Sequence, residues 1–322
     1  MPQATIEQNV ECQLTGASQR DTTSIQPGGV PTPAQGIGAM TIEAFFMPVA
    51  GGQRFCMFHS ADKIGRTSRL GQVVFVHALA EEMNKSRRMA ALQARALARA
   101  GFDVLQIDLL GCGDSSGEFG DATWSAWIND IVQACQWLRA QPTSTGSAGA
   151  TREELPPLWL WGLRAGCLLA ADAARQLPEP CNFLFWAPPP AGKSLLQQFL
   201  RLRVAGDMLT GKSKGAMDGL RHQLALGESV EVTGYALNPA LASGLELANL
   251  NPPDKATRLE WLELSTRADA ALTPVATQAL ARWHQAGYTV RSHQVNGPSF
   301  WQTAEIEDAP ALITATVAAM TD

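Results

Sequence analysis

The stretch Leu158-Trp159-Leu160-Trp161-Gly162-Leu163-Arg164-Ala165-Gly166-Cys167-Leu168-Leu169 decides the architecture. Its opening apolar run has the pattern of a short strand buried on both faces. From Arg164 to Gln176 the chain reads as a helix, so the residues between Gly162 and Gly166 must turn sharply from strand to helix. Glycines on both sides suit a place where strand and helix pack closely. The side chain displayed there belongs to Arg164. A guanidinium stays protonated and presents only donors, so it cannot attack a carbonyl. The position is also a helix N-terminus, where the backbone dipole favours an anion. A cation there calls for an acid partner, with Glu81, Glu82 and Asp269 as candidates, or for an anionic ligand; the alternative is drift in a dead site, with Arg164 turned to solvent.

Working outward, strands and helices alternate. Ile42–Met47 and Phe55–His59, separated by Ala50-Gly51-Gly52, predict an antiparallel hairpin. Val73–His77, Val104–Asp108, Phe183–Ala187, Leu259–Leu264 and Thr289–Val295 read as further strands. Arg87–Ala100, Trp124–Arg139, Val275–Ala286 and Glu305–Met320 read as helices. This order predicts an α/β fold with a mostly parallel sheet flanked by helices. Residues 191 to about 255 lose the alternation and read as a helical cap inserted over the carboxyl edge of the sheet. Pro142–Glu154 reads as a loop, and residues 1–37, rich in Gln, Thr, Pro and Gly, as a flexible tail. The domain is therefore expected over 38–322.

The 322 residues are 46% hydrophobic and 17% charged, enough for a sizeable core. A net charge of −5 argues against nucleic-acid binding. Cysteines 12, 56, 112, 135, 167 and 181 show no metal-type or paired spacing, which reads as a reduced, cytoplasmic set. The beginning, MPQATIEQNVECQ, has neither the basic nor the apolar region of a signal peptide. No apolar run approaches the roughly 20 residues that span a bilayer. The histidines are scattered, so no metal is expected. Gly111-Cys112-Gly113-Asp114-Ser115 lacks the full dinucleotide fingerprint, so no cofactor is expected.

The strand–turn–helix at 158–169, the turn Asp108-Leu-Leu-Gly111-Cys-Gly113-Asp114-Ser115 and the segment Ser265–Pro274 together resemble the α/β-hydrolase superfamily. The resemblance implies Gly-x-Ser-x-Gly at the elbow, with Ser as nucleophile; Arg164 stands in its place. It implies Asp269 as the triad acid. It also implies a histidine after the last strand, where this chain reads Asn296-Gly297-Pro298-Ser299-Phe300-Trp301. His293 falls inside the strand, too early. Two departures in separate segments argue against Ser-His-Asp chemistry.

Other positions have two readings each. His77 is an architectural hydrogen-bonding residue or a base. Asp114 and Ser115 shape a pocket floor or belong to a site. Glu81 and Glu82 oppose a developing oxyanion or lie on a solvated loop. Lys85, Arg87, Arg88, Arg201 and Arg203 make an anion-friendly cleft with Arg164 or are ordinary surface charge.

From about 40 to 320 the chain further resembles the exosortase-A-system-associated hydrolases, type 2, of bacterial exopolysaccharide gene clusters. The segments carrying this are Glu81-Glu-Met-Asn-Lys-Ser-Arg-Arg88, Asp108–Gly117, Trp159–Leu169 and Phe300-Trp-Gln-Thr-Ala-Glu-Ile306. It implies a role in exopolysaccharide production or protein sorting.

Two functions stay open. The first is a degenerate hydrolase that binds a small anionic or acyl-bearing molecule, or a protein of the exosortase system. The second is an ester or acyl hydrolase, or an acyltransferase, with a non-standard nucleophile such as Cys167. The expected pocket set is His77, Glu81, Glu82, Asp114, Leu163, Arg164, Asp269 and Ser299.

Overall fold

The computed structural model describes residues 40–62, 68–141, 155–209, 215–267 and 270–322, without the side chains of 207–209. The expected tail over 1–37, the loop Pro142–Glu154 and the expected acid Asp269 lie outside the described residues.

The predicted hairpin is β1 (Ile42–Val49) and β2 (Gly52–His59), paired antiparallel around the Ala50-Gly51 turn. β3 (Gly71–Val76) leads into α1 (Glu81–Arg99), and β4 (Phe102–Ile107) into α2 (Trp124–Arg139). β5 (Leu158–Leu163) is followed by α3 (Ala165–Ala174) and β6 (Asn182–Trp186). The insertion comprises α4 (Gly192–Leu209), α5 (Ala216–Ala225), β7 (Val230–Val232), β8 (Tyr235–Leu237) and α6 (Pro239–Leu247). β9 (Arg258–Ser265), α7 (Pro274–Gln285), β10 (Thr289–Asn296) and α8 (Pro310–Thr321) complete the chain.

Among the described residues the main sheet has eight strands in the order β1-β2-β4-β3-β5-β6-β9-β10. β2 runs antiparallel to β1 and β4, and the other neighbours are parallel. Alternation along β5 divides the core. Leu158 and Leu160 pack in one layer with residues of α2, α3 and α7. Trp159, Trp161 and Leu163 pack in the other, with residues of α1 and α8. That second layer is aromatic: Phe75–Trp161 ring centroids lie 4.3 Å apart, Trp161–Trp186 4.7 Å and Phe300–Trp301 5.1 Å.

Three details depart from the sequence reading. α1 begins at Glu81 rather than Arg87, so Glu81 and Glu82 occupy the first turn of a helix and not a loop. Carboxylates are favoured there by the dipole. α8 begins at Pro310 rather than Glu305, with proline in its first turn. The insertion contains the β7–β8 hairpin as well as helices. Its turn, Thr233-Gly234, has positive φ at both residues (48° and 87°), the geometry of a tight two-residue hairpin. Strands of three residues carry too little alternation to read from sequence.

His293 lies on β10 with Nε2 2.7 Å from a carboxylate oxygen of the fully buried Glu260. Arg258 and Arg291 donate to the other oxygen at 2.5 and 2.8 Å, and both reach the Ala319 carbonyl in the last turn of α8. The cluster pins α8 to the sheet. No helix among the described residues is long and apolar enough to cross a membrane.

Candidate functional site

The elbow is built as its sequence requires. Arg164 has φ 54° and ψ −117°, a conformation costly for a residue with a side chain. A Cβ on Gly166 would lie 2.1 Å from the Val76 carbonyl oxygen. One on Gly162 would lie 2.6 Å from the Cys167 backbone. Both glycines are therefore steric requirements of β3, β5 and α3 packing together. The Arg164 amide donates to the Trp186 carbonyl at 3.1 Å, which fixes the turn to β6.

The Arg164 side chain meets an acid. Its Nε and Nη2 both donate to Glu82 Oε1 at 3.3 Å, and Nη2 also donates to Gln198 Oε1 at 3.0 Å. The guanidinium carbon lies 5.7 Å from the Trp301 ring centroid, within cation–π range. Gln302 Nε2 donates to the same Glu82 oxygen at 3.2 Å. Helix starts of α1 and α3, helix α4 of the insertion and the turn after β10 thus converge on one ion pair. Its cation is the charge that the α3 dipole disfavours, and its anion is the charge that the α1 dipole favours.

Above the pair is a cavity of about 310 Å³. Leu79, Leu195, Phe199, Leu202 and Trp301 give it apolar walls, and Glu81, Glu82, Lys85, Gln198 and Gln302 a polar rim. Arg164 does not line it; its three partners do. Glu81 accepts from Asn84 at 3.1 Å and from Tyr235 of β8 at 3.2 Å, tying α1 to the insertion. Burial and the Glu81 carboxylate push the Tyr235 phenol up to about 12. Lys85 Nζ donates to the Thr303 carbonyl at 2.7 Å.

Several expected pocket residues are elsewhere. Leu163 points into the layer beneath α1 and α8, because strand alternation sends it away from the cavity. Asp114 is exposed on the glycine turn, its amide donating to Asp108 at 3.3 Å. Ser115 is structural there, donating to the Asp108 carbonyl at 2.5 Å and accepting from the Phe55 amide at 2.9 Å. Ser299 is exposed outside the cavity lining. His77 is buried, with Nδ1 2.8 Å from the Ala78 carbonyl and Nε2 3.3 Å from the Leu109 amide. A carbonyl only accepts, so the proton sits on Nδ1 and Nε2 accepts, leaving no free lone pair for a base. Burial holds the imidazole below its ordinary pKa, the Asp108 carboxylate opposing.

Cys167 is corrected as a nucleophile candidate. It is fully buried on α3, its thiol 3.6 Å from the Trp186 carbonyl, and burial raises its pKa well above the ordinary thiol value. A thiolate would have no solvation there. Cys112 is pushed up to about 12 by burial and Asp108. The supposed basic cleft is also dispersed: Arg87 pairs with Asp108 at 3.1 Å and Arg88 with Asp308 at 2.8 Å. No group of His, Cys, Asp and Glu among the described residues could hold a metal.

Gln198, Trp301 and Gln302 are the site residues that residue-by-residue reading missed. The signal for two of them lay in the quoted segment Phe300–Ile306. Gln198 carries none, since its role depends on where α4 lands.

The sequence matches the family model for serine aminopeptidase, S33, over residues 67–214. Human protein ABHD12B is 28% identical over 130 residues, covering 40% of this chain and 30% of that protein. The match therefore spans under a third of the curated relative's length. The thermostable carboxyl esterase from Bacillus coagulans superimposes with a TM-score of 0.55 at 12% identity, over 88% of this chain and 98% of that one. The soluble variant of monoglyceride lipase from Saccharomyces cerevisiae superimposes with 0.52 at 13% identity, over 91% and 97%. At such identities the likeness is one of fold, and the fold is that of the α/β-hydrolases.

Proposed function

We propose that this chain, built on the α/β-hydrolase fold, binds an uncharged, acyl-bearing molecule in the cavity above Arg164 and does not hydrolyse it. The observation that carries this is the Arg164–Glu82 pair: the group displayed where a nucleophile would stand is a compensated cation covered by its partners. The triad is degenerate in this reading, with Trp301 and its neighbours in place of a histidine after β10. An anionic ligand is disfavoured, because the cavity rim carries two carboxylates, Glu81 and Glu82, against one ammonium, Lys85. The apolar walls favour a hydrocarbon chain.

The cellular setting belongs to the same proposal. The segments Glu81–Arg88 and Phe300–Ile306, which carry the resemblance to exosortase-associated hydrolases, meet at this site. Lys85 holds Thr303, and Gln302 and Trp301 flank the Arg164–Glu82 pair. That supports a role in exopolysaccharide production or protein sorting, with an acylated molecule or a protein of that system as partner. Free thiols at Cys56, Cys112, Cys135, Cys167 and Cys181 support a reducing, cytoplasmic compartment.

The competing reading, an ester hydrolase, draws on the esterase and lipase among the structural neighbours. A fluorophosphonate probe and a panel of p-nitrophenyl esters from acetate to palmitate separate the two. No labelled serine and no turnover are expected, either for the native chain or for Arg164→Ser, which still lacks an imidazole. Stoichiometric labelling of one serine, or turnover that saturates, overturns the proposal.

A further inference from the structure

The ion pair beneath the cavity does more than close the elbow: it dictates which way two carboxamides face. An arginine only donates, so Gln198 must turn its oxygen toward Arg164 Nη2, at 3.0 Å. That directs the Gln198 NH2 group away from the pair. A carboxylate only accepts, so Gln302 must turn its NH2 toward Glu82 Oε1, at 3.2 Å. That directs the Gln302 oxygen away. Neither the Gln198 Nε2 nor the Gln302 Oε1 has a hydrogen-bond partner among the described residues. Both side chains line the cavity. The chain Gln198–Arg164–Glu82–Gln302 therefore ends in one oriented donor and one oriented acceptor, at the rim of an apolar cavity.

One donor and one acceptor from two separate residues are the complement of a secondary amide, whose carbonyl accepts on one side and whose N–H donates on the other. An ester supplies only the acceptor. A carboxylate supplies no donor and meets Glu81 and Glu82.

We infer that the ligand is an N-acylated molecule, with its secondary amide between Gln198 and Gln302 and its acyl chain against Leu79, Leu195, Phe199 and Trp301. This rests on the non-hydrolytic, acyl-binding reading above and names the linkage that the site selects. The ion pair is the positioning device, because it holds both carboxamides in the orientation the amide needs.

The test is binding of four octanoyl probes to the full chain, read by calorimetry: N-methyloctanamide, N,N-dimethyloctanamide, methyl octanoate and octanoate. N-methyloctanamide is expected to bind about tenfold more tightly than the dimethylamide or the methyl ester, the effect of one lost hydrogen bond. Octanoate is expected to be the weakest. In Gln302→Leu, which removes the acceptor from an exposed rim position, the mono- and dimethylamide should bind equally. A matching far-ultraviolet circular dichroism spectrum and melting temperature confirm that this variant folds. Equal affinity of the native chain for amide, dimethylamide and ester overturns the amide inference and leaves the acyl-binding proposal standing. Failure of all four probes to bind overturns that proposal, and the inference with it.

Discussion

Arg164 and Glu82 stand at the starts of two different helices and meet at 3.3 Å, their side chains 13% and 21% exposed. Arg164 caps α3 in a positive-φ conformation, and Ala80 caps α1 in nearly the same one (φ 50°, ψ −125°). Two similar turns thus deliver opposite charges to one point above the sheet. Removing either charge strands the other in a largely enclosed place, where an unpaired ion is expensive.

A double-mutant cycle reads that coupling. Glu82→Gln is expected to destabilise the fold by about 1–2 kcal/mol, reduced from the fully buried case because both side chains keep some solvent contact. Arg164→Met alone should cost a similar amount, and the pair together less than the sum. Urea unfolding of the four proteins gives the interaction term. Strict additivity would mean that the contact is made but does not hold the elbow.

How far the sequence discloses this site depends on whether a residue's role is local. The elbow was legible because Gly162 and Gly166 answer a contact within one strand–turn–helix and its neighbouring strand. The electrostatic conflict of a cation at a helix start was legible too, with an acid partner, an anionic ligand and a turn to solvent as its open resolutions. Which of three acids resolves it was not, because that depends on the point at which α1 begins. The Ala- and Arg-rich stretch predicts a start at Arg87, and the helix starts at Glu81, bringing Glu82 round to Arg164. Gln198 and Gln302 come from an inserted helix and from a turn after the last strand. Polar residues of that kind carry no periodicity, and only tertiary packing assigns them.

The glycines offer a test with its own control. Gly166→Ala forces a methyl group to 2.1 Å from a backbone oxygen that the sheet cannot move. A loss of about 3 kcal/mol or more is expected. Gly219, inside α5, has nothing within 4 Å of its would-be Cβ, and Gly219→Ala should instead stabilise that helix by about 0.5–1 kcal/mol. Thermal melts of both variants check the pair of signs. A tolerated Gly166→Ala would mean that the elbow relaxes more than close-packed backbone allows.

Glu260 is the buried counterpart of the elbow pair. Its carboxylate is fully enclosed and takes Arg258, Arg291 and His293, whose side chains are 24%, 36% and 29% exposed. Glu260→Gln keeps the shape but removes the charge that holds two guanidinium groups together, and about 3 kcal/mol of stability should go with it. Arg291→Ala should cost less, about 1 kcal/mol, since Arg258 still reaches both the carboxylate and Ala319. Hydrogen exchange should locate the damage in α8, whose last turn these arginines hold. Loss spread evenly over the sheet would argue that the cluster does not anchor that helix.

The buried imidazoles set a pH dependence whose sign follows from their burial. His77 and His59 are both held below the ordinary value of 6.5, burial being the main cause in each. Each is therefore neutral in the fold at a pH where the unfolded chain already binds a proton. Their contribution is complete above 6.5 and declines as pH falls below it toward the lower folded values. Stability should fall between pH 7 and pH 5, by at most about 1.4 kcal/mol per pH unit for each histidine involved. His77→Gln removes one of the two linked protons, so it should flatten the stability–pH slope while lowering stability at pH 7 through the lost Ala78 and Leu109 hydrogen bonds. Urea unfolding at half-unit pH steps measures both effects. An unchanged slope in His77→Gln would show that His77 takes up its proton in the folded state, and the Nδ1–H assignment, with Nε2 as an acceptor, would then have to be abandoned.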